Sequence, residues 1–323
     1  MIVVTGGAGF IGSAIVWQLN NSGRDDVLIV DELGNDEKWK NLLGLKYSDF
    51  INKDNFIDYV EKDKLPKITS IIHMGANSST TETDADFLLR NNYEYTKNLS
   101  LFSLKHDIRF IYASSAATYG DGSIGFEDNE SVCGGLRPLN MYGYSKYLFD
   151  FYAFKNNLFD KMAGIKYFNV FGPNEYHKGE MRSVVHKAFE QIKLNGKVKL
   201  FKSRNPKYKD GEQLRDFIYV KDAVDMTLFF HENPNVNGLF NVGAGKARTW
   251  NDLVSAIFKA MGLKVNIEYI DLPDHLAEKY QYFTQASLDK IKKAGYNRPI
   301  STLEEGVFDY VKNYLLGKKY LAI

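Results

Sequence analysis

Thiol is the scarcest group in this chain. Cys133 is the single cysteine among 323 residues, so no disulfide can close within the chain and a reducing compartment is expected. Long apolar runs are missing too: none reaches the roughly 18 residues that span a bilayer. Met1 leads straight into Ile2-Val3-Val4 with no basic segment ahead of it, so no secretory signal is expected and the location read from sequence is cytoplasmic. Neither sign of charge is in excess. With 41 basic and 40 acidic residues the net charge is +1, which removes the bulk electrostatic basis for nucleic-acid or membrane partners. The hydrophobic share of 44% and charged share of 25% match an ordinary globular chain with a sizeable core. The 22 Phe and 21 Tyr are read as packing of that core.

The first half alternates short apolar runs with amphipathic segments, the pattern of βαβ units around a parallel sheet. Strands are expected at Ile2 to Thr5, Val27 to Asp31, Ser70 to His73, Phe110 to Ser114 and Ile165 to Phe168. Helices are expected at Phe10 to Asn21, Asp84 to Lys105 and Asn140 to Asn157. The fold class is therefore α/β, a Rossmann-like doubly wound sheet with a smaller, interleaved C-terminal lobe. Residues 1–170 form the dinucleotide-binding domain, completed by about 216–242, where Phe217 to Val220 reads as a return to the sheet. Residues 171–323 mainly form the substrate lobe, with helices near 182–194, 249–261 and 301–316.

Thr5-Gly6-Gly7-Ala8-Gly9-Phe10-Ile11-Gly12 joins the first strand to the first helix. Gly6, Gly9 and Gly12 allow a tight turn and close approach of backbone to a pyrophosphate, which the helix N-terminus then faces. Asp31 ends the second strand where an acid holds adenosine ribose hydroxyls and favours NAD. Lys38 and Lys53 follow, and either could neutralise a 2′-phosphate and favour NADP, whereas Glu32 would repel it. These residues leave the choice open.

The run Phe110 to Gly120 ends its strand in hydroxyls, placing Ser115 at the crevice where open α/β sheets bind ligands. Tyr142 and Lys146 stand four residues apart, on one helix face. A phenol titrates near about 10, and a neighbouring ammonium is expected to lower it toward neutrality, so that it can serve as an acid/base.

Together the glycine loop, Ser115 and the Tyr142-Gly143-Tyr144-Ser145-Lys146 pentapeptide resemble the extended short-chain dehydrogenase/reductase family. That resemblance implies that Ser115 orients substrate, Tyr142 acts as acid/base, and Lys146 tunes Tyr142 and binds the nicotinamide ribose. Sugar-nucleotide 4,6-dehydratases of the family carry an Asp-Glu pair just after this serine; here Ala116 and Ala117 stand there, which argues against dehydration. The segments Gly75 to Glu82, Asn169 to Gly179, Arg215 to Val220 and Tyr282 to Ala286 narrow the likeness to the ADP-heptose 6-epimerase branch. The resemblance implies NADP, tightly bound, with NAD as the alternative. It implies no metal, an ADP-heptose substrate that feeds lipopolysaccharide inner-core assembly, and a homo-oligomeric ring such as a pentamer. Met74, Gly75, Ala76, Asn77, Ser78, Asn91 and Val170 are then expected to join Gly6, Gly9, Phe10, Ile11, Gly12, Asp31, Glu32, Lys38, Lys53 and Lys146 around the cofactor. Asn169, Glu180, Lys187, Phe201, Arg215 and Tyr280 are expected to contact substrate. Lys178 matches the position of a second acid/base, which an epimerase requires to serve the opposite face of the oxidised sugar. Glu180 and Lys187 depart from the pattern, and the segment 203–214 is longer than usual. The rival readings are a UDP-hexose 4-epimerase of the same superfamily and a non-catalytic dinucleotide-binding regulator.

Overall fold

The computed structural model describes residues 1–62, 67–274 and 280–323. Its strands are β1 Ile2–Thr5, β2 Val27–Asp31, β3 Asp49–Asn52, β4 Ser70–His73, β5 Arg109–Ser115, β6 Met162–Tyr167, β7 Asn169–Phe171, β8 Val198–Phe201, β9 Leu214–Tyr219, β10 Gly238–Val242, β11 Ala247–Thr249 and β12 Ile267–Ile270. Seven of them pair in the order β10-β6-β5-β4-β1-β2-β3, every pair parallel. β1, β2 and β4 are buried along their whole length, as parallel strands covered on both faces must be. Alternation sends Val4, Ile29 and Ile72 to one core and Val3, Leu28, Ile71 and Phe110 to the other.

The chain builds outward from β1 through β2 to β3, then crosses back to lay β4 on the other side of β1. That reversal opens a crevice at the carboxyl ends of β1 and β4. Helix α1 Phe10–Asn21 starts at its floor. α2 Lys53–Glu61 follows β3. The segment expected as one helix over 84–105 runs as α3 Ala85–Leu88, a π-turn over Leu89–Glu94, and α4 Tyr95–Lys105. The wide turn is a local register change of the kind found at functional sites. α5 Met141–Lys155 begins at Asn140, whose side chain accepts from the Gly143 N–H.

Phe217 to Tyr219 do not rejoin the main sheet. They belong to β9, which pairs with β7 and β11 in a separate three-stranded sheet. The return is made one element later, by α7 Val220–Glu232 packing on α1 and by β10 adding to the sheet edge beside β6. The small lobe holds the three-stranded sheet, the parallel pair β8 and β12, α6 Val184–Asn195 and α8 Trp250–Met261. It is closed by α9 Asp289–Lys293 and α10 Leu303–Asp309, the last starting at a Thr302–Glu305 capping box. Among the described residues no helix is long and apolar enough to cross a membrane.

Candidate active site

The crevice is a cleft of about 510 Å³ at the β1–β4 reversal. Its floor is the glycine loop. Gly6 has φ +64°, and a Cβ there would meet Gly75 N at 2.7 Å; a Cβ on Gly12 would fall 2.0 Å from Gly6 O. Only glycine lets the loop fold this tightly beneath the helix. Gly9 caps α1 without a side-chain hydrogen bond and no acid lies in the first turn. The first N–H groups of α1, at Phe10, Ile11 and Gly12, lack partners in the helix and form an uncovered anion site. A dinucleotide pyrophosphate fits this floor.

Asp31 is fixed beside it. One carboxylate oxygen accepts from Ala8 N at 2.9 Å, and the other from Glu32 N at 2.8 Å and Lys38 Nζ at 2.9 Å. Lys53 stands 3.5 Å from Glu32 and also lines the cleft. Every residue expected around the cofactor lines this one crevice: Gly6, Gly9, Phe10, Ile11, Gly12, Asp31, Glu32, Lys38, Lys53, Met74, Gly75, Ala76, Asn77, Ser78, Asn91, Lys146 and Val170.

Ser115, Tyr142, Lys146 and Lys178 line it as well. The Ser115 and Tyr142 side chains stand together in the lining, and Lys146 Nζ donates to Ala113 O at 2.8 Å. Burial raises the Tyr142 pKa, and the nearby Ser115 hydroxyl opposes the rise. This corrects the expectation from sequence that Lys146 lowers the phenol: the ammonium is bound to a strand carbonyl instead. Burial pushes Lys146 itself down to about 8, against the pull of Asp150.

Lys178 comes from a different element, the short turn Tyr176–Met181. Its ammonium stands 5.6 Å from the Phe10 ring centroid, close enough for a cation–π contact. Burial lowers its pKa and Glu175 opposes that shift. Asn174, at φ +75°, secures the turn. Its side chain donates to Ser13 Oγ at 3.0 Å and accepts from Leu321 N at 3.0 Å, while its carbonyl accepts from Asn41 Nδ2 at 3.0 Å. Tyr176 OH donates to Lys319 O at 3.0 Å, and its ring meets Tyr320 edge-on. The buried Glu175 carboxylate accepts from Ser183 N and Ser183 Oγ.

A model of the NAD dependent epimerase/dehydratase family matches residues 2–243. The chain belongs to that family. Over 316 residues it is 54% identical to the ADP-L-glycero-D-manno-heptose-6-epimerase of Nitratidesulfovibrio vulgaris strain DP4, covering 98% of each chain. The enzyme of that name from Fusobacterium nucleatum is 50% identical, again over 98% of each. Among solved structures, the Helicobacter pylori ADP-L-glycero-D-manno-heptose-6-epimerase superposes with a TM-score of 0.80 at 30% identity, covering 97% of this chain and 95% of that one. The Thermotoga maritima UDP-glucose 4-epimerase, solved with UDP-glucose, also gives 0.80, at 26% identity and with 98% and 99% covered.

The substrate candidates of this epimerase/dehydratase family member divide by place. Asn169 lines the cleft. Arg215, Tyr280 and Phe201 lie in the small lobe outside the cleft lining. Arg215 is buried, its guanidinium 5.7 Å from the Trp250 ring centroid and 5.4 Å from that of Tyr280, with hydrogen bonds to the carbonyls of Leu214 and Gln281. Tyr280 OH accepts from Trp250 Nε1 at 3.1 Å. Phe201 ends β8, and its carbonyl accepts from Gln213 at 3.4 Å. Glu180 is exposed, and Lys187 donates to its carbonyl at 2.7 Å; neither side chain reaches the cleft. The buried neighbour of Lys187, His186, packs on Tyr176 instead.

Sequence reasoning missed the polar residues that brace the site. Asn92, on the π-turn, accepts from Asn77 N and donates to Asn77 O and Ser145 Oγ. Asn41 donates to Ala8 O and Asn174 O. Asp150 and Lys166 pair at 2.7 Å beneath the cleft. Asp150 alone carried a signal, being four residues past Lys146 on the same helix face.

Proposed function

We propose that this chain epimerises C6″ of ADP-glycero-manno-heptose, interconverting the D-glycero and L-glycero sugars with NADP retained through the cycle. The observation that carries the reading is a single cleft holding two acid/base groups from separate elements, Tyr142 on α5 and Lys178 on the Tyr176–Met181 turn, above one dinucleotide floor. The full-length relatives at 54% and 50% identity support the sugar assignment. Ala116 and Ala117 offer no acid/base pair for elimination.

A nicotinamide dinucleotide held on the floor supplies oxidation of the sugar carbon and its reduction from the other side. Ser115 hydrogen-bonds the reacting hydroxyl, and Tyr142 exchanges the proton of that hydroxyl. Lys146, as an ammonium, donates to the Ala113 carbonyl and would hold the nicotinamide ribose. After the sugar turns within the cleft, Lys178 exchanges the proton on the opposite face. A half-buried amine of lowered pKa suits that work. Asp31 is already bound by Ala8, Glu32 and Lys38, and Lys53 lies beside it. Two ammonium groups at this edge favour NADP.

NMR of ADP-heptose incubated with the enzyme is expected to show inversion at C6″ with no net change in nicotinamide absorbance. Accumulation of free reduced cofactor, or turnover of UDP-galactose in preference to ADP-heptose, overturns the assignment. Mass spectrometry of cofactor released on denaturation is expected to return NADP.

A further inference from the structure

Two consecutive residues at the end of β5 are hydrogen-bonded to α5, and the third stands beside it. The Ala113 carbonyl accepts from Lys146 at 2.8 Å, Ser114 Oγ donates to Asp150 at 2.7 Å, and Ser115 shares the cleft lining with Tyr142. Tyr142, Lys146 and Asp150 follow at four-residue intervals along one face. Two of these residues do chemistry in the reading above; the third has no assigned work.

Asp150 is wholly buried, as is its partner Lys166 on β6. The carboxylate also accepts from Tyr112 OH at 2.8 Å. Lys166 in turn donates to Thr118 Oγ1 and stands 4.8 Å from the Tyr119 ring centroid. A buried ion pair is an expensive way to pack a helix against a strand, since apolar side chains of similar volume do that as well or better. Its survival here, with its polar groups matched, points to a demand that apolar packing does not meet.

We propose that Asp150 is a positioning residue for the acid/base apparatus: it locks α5 in register against β5 and keeps Lys146 charged. The proposal rests on the roles given above to Ser115, Tyr142 and Lys146. The locking is geometric. Ser114 lies between Ala113, which holds Lys146, and Ser115, which shares the cleft lining with Tyr142, so its bond to Asp150 fixes both neighbours. The charge is local. Among the described residues, Asp150 is the one negative group that supports the ammonium of Lys146 against burial. The other groups around Lys146 add no opposing anion: Tyr142 on α5 is neutral, and burial holds His73 on β4 neutral. Lys166 faces Asp150 rather than Lys146, and buried Tyr112, Tyr119 and Cys133 stay protonated.

The test is the double variant Asp150→Asn/Lys166→Met, which removes both charges, keeps the volumes and leaves no unpaired ion. Folding is checked by cooperative melting. The folded variant is expected to lose about tenfold in kcat with little change in KM, as misplacement of a positioned group does. Cofactor affinity, measured by calorimetry with no sugar nucleotide present, is expected to weaken with rising pH about one unit earlier than in the native enzyme. Native kcat and an unmoved affinity profile in the folded double variant overturn the proposal. Should that variant fail to fold, Ser114→Ala keeps both charges and breaks one tie; it is expected to lower kcat about threefold, and native kcat there overturns the locking role. The affinity profile needs no heptose, so it tests Asp150 even if ADP-heptose proves to be the wrong substrate.

Discussion

Two lysines face one cleft from regions built on opposite plans. Lys146 sits mid-helix, almost wholly buried, its ammonium bonded to a strand carbonyl and supported by Asp150 one turn on. Lys178 sits on a six-residue turn, with an aromatic face near its ammonium and Glu175 as its supporting charge. Burial lowers both pKa values, that of Lys146 to about 8. The Lys146 ammonium is tied to a fixed acceptor on the sheet, whereas that of Lys178 rests near the Phe10 ring on a short turn. In the reaction proposed above, the holding role falls to the lysine built into the sheet and its helix, and the proton-exchanging role to the lysine on the turn.

The comparison breaks first at Tyr142. Tyr142→Phe is expected to lower kcat about 10³-fold in steady-state assays, while calorimetry finds cofactor affinity nearly native; a small loss would leave the helix region without its acid/base. Lys178→Met is expected to cost about 10²-fold in both directions of epimerisation, again with native cofactor affinity. A loss confined to one direction would show that Lys178 does not mirror Tyr142. The pH profile sharpens the contrast. The Lys146 ammonium is populated below about 8 and lost above it, so cofactor affinity is expected to fall about tenfold between pH 7 and 9. In the small lobe, Arg215→Lys keeps the charge but removes the planar group flanked by the Trp250 and Tyr280 rings, and is expected to raise KM about fivefold with kcat unchanged. The smallest effect on rate is expected at Asn174→Ala. Loss of two side-chain hydrogen bonds at a left-handed position lowers stability by about 2 kcal/mol, read in urea titrations.

Legibility in the sequence followed burial and spacing. β1, β2 and β4 are unbroken apolar runs bounded by turn residues, and the glycine loop and Tyr142–Lys146 pair are short-range patterns, so these could be read directly. β3 escaped because Asp49 and Asn52 at its ends are exposed on a sheet edge. β9 looked like a main-sheet strand because burial alone does not say which partner a strand pairs with. The direction of the Tyr142 shift was misread for a related reason: spacing placed an ammonium near the phenol, but the Ala113 carbonyl that claims it lies 33 residues away. Asn41, Asn92 and Lys166 are polar residues whose meaning lies wholly in distant partners. Nothing beside them in the chain announces burial.

The turn that carries Lys178 is clamped by residues 319–321 through Tyr176, Tyr320 and Asn174. Those residues stand far along the chain from the turn they hold. The glycine loop is tied instead within the first two strands, by Gly6 N to Val30 O and Ala8 N to Asp31. The floor of the cleft and the turn above it therefore rest on separate supports, and a change confined to 319–321 is expected to loosen the turn while leaving the floor as it is.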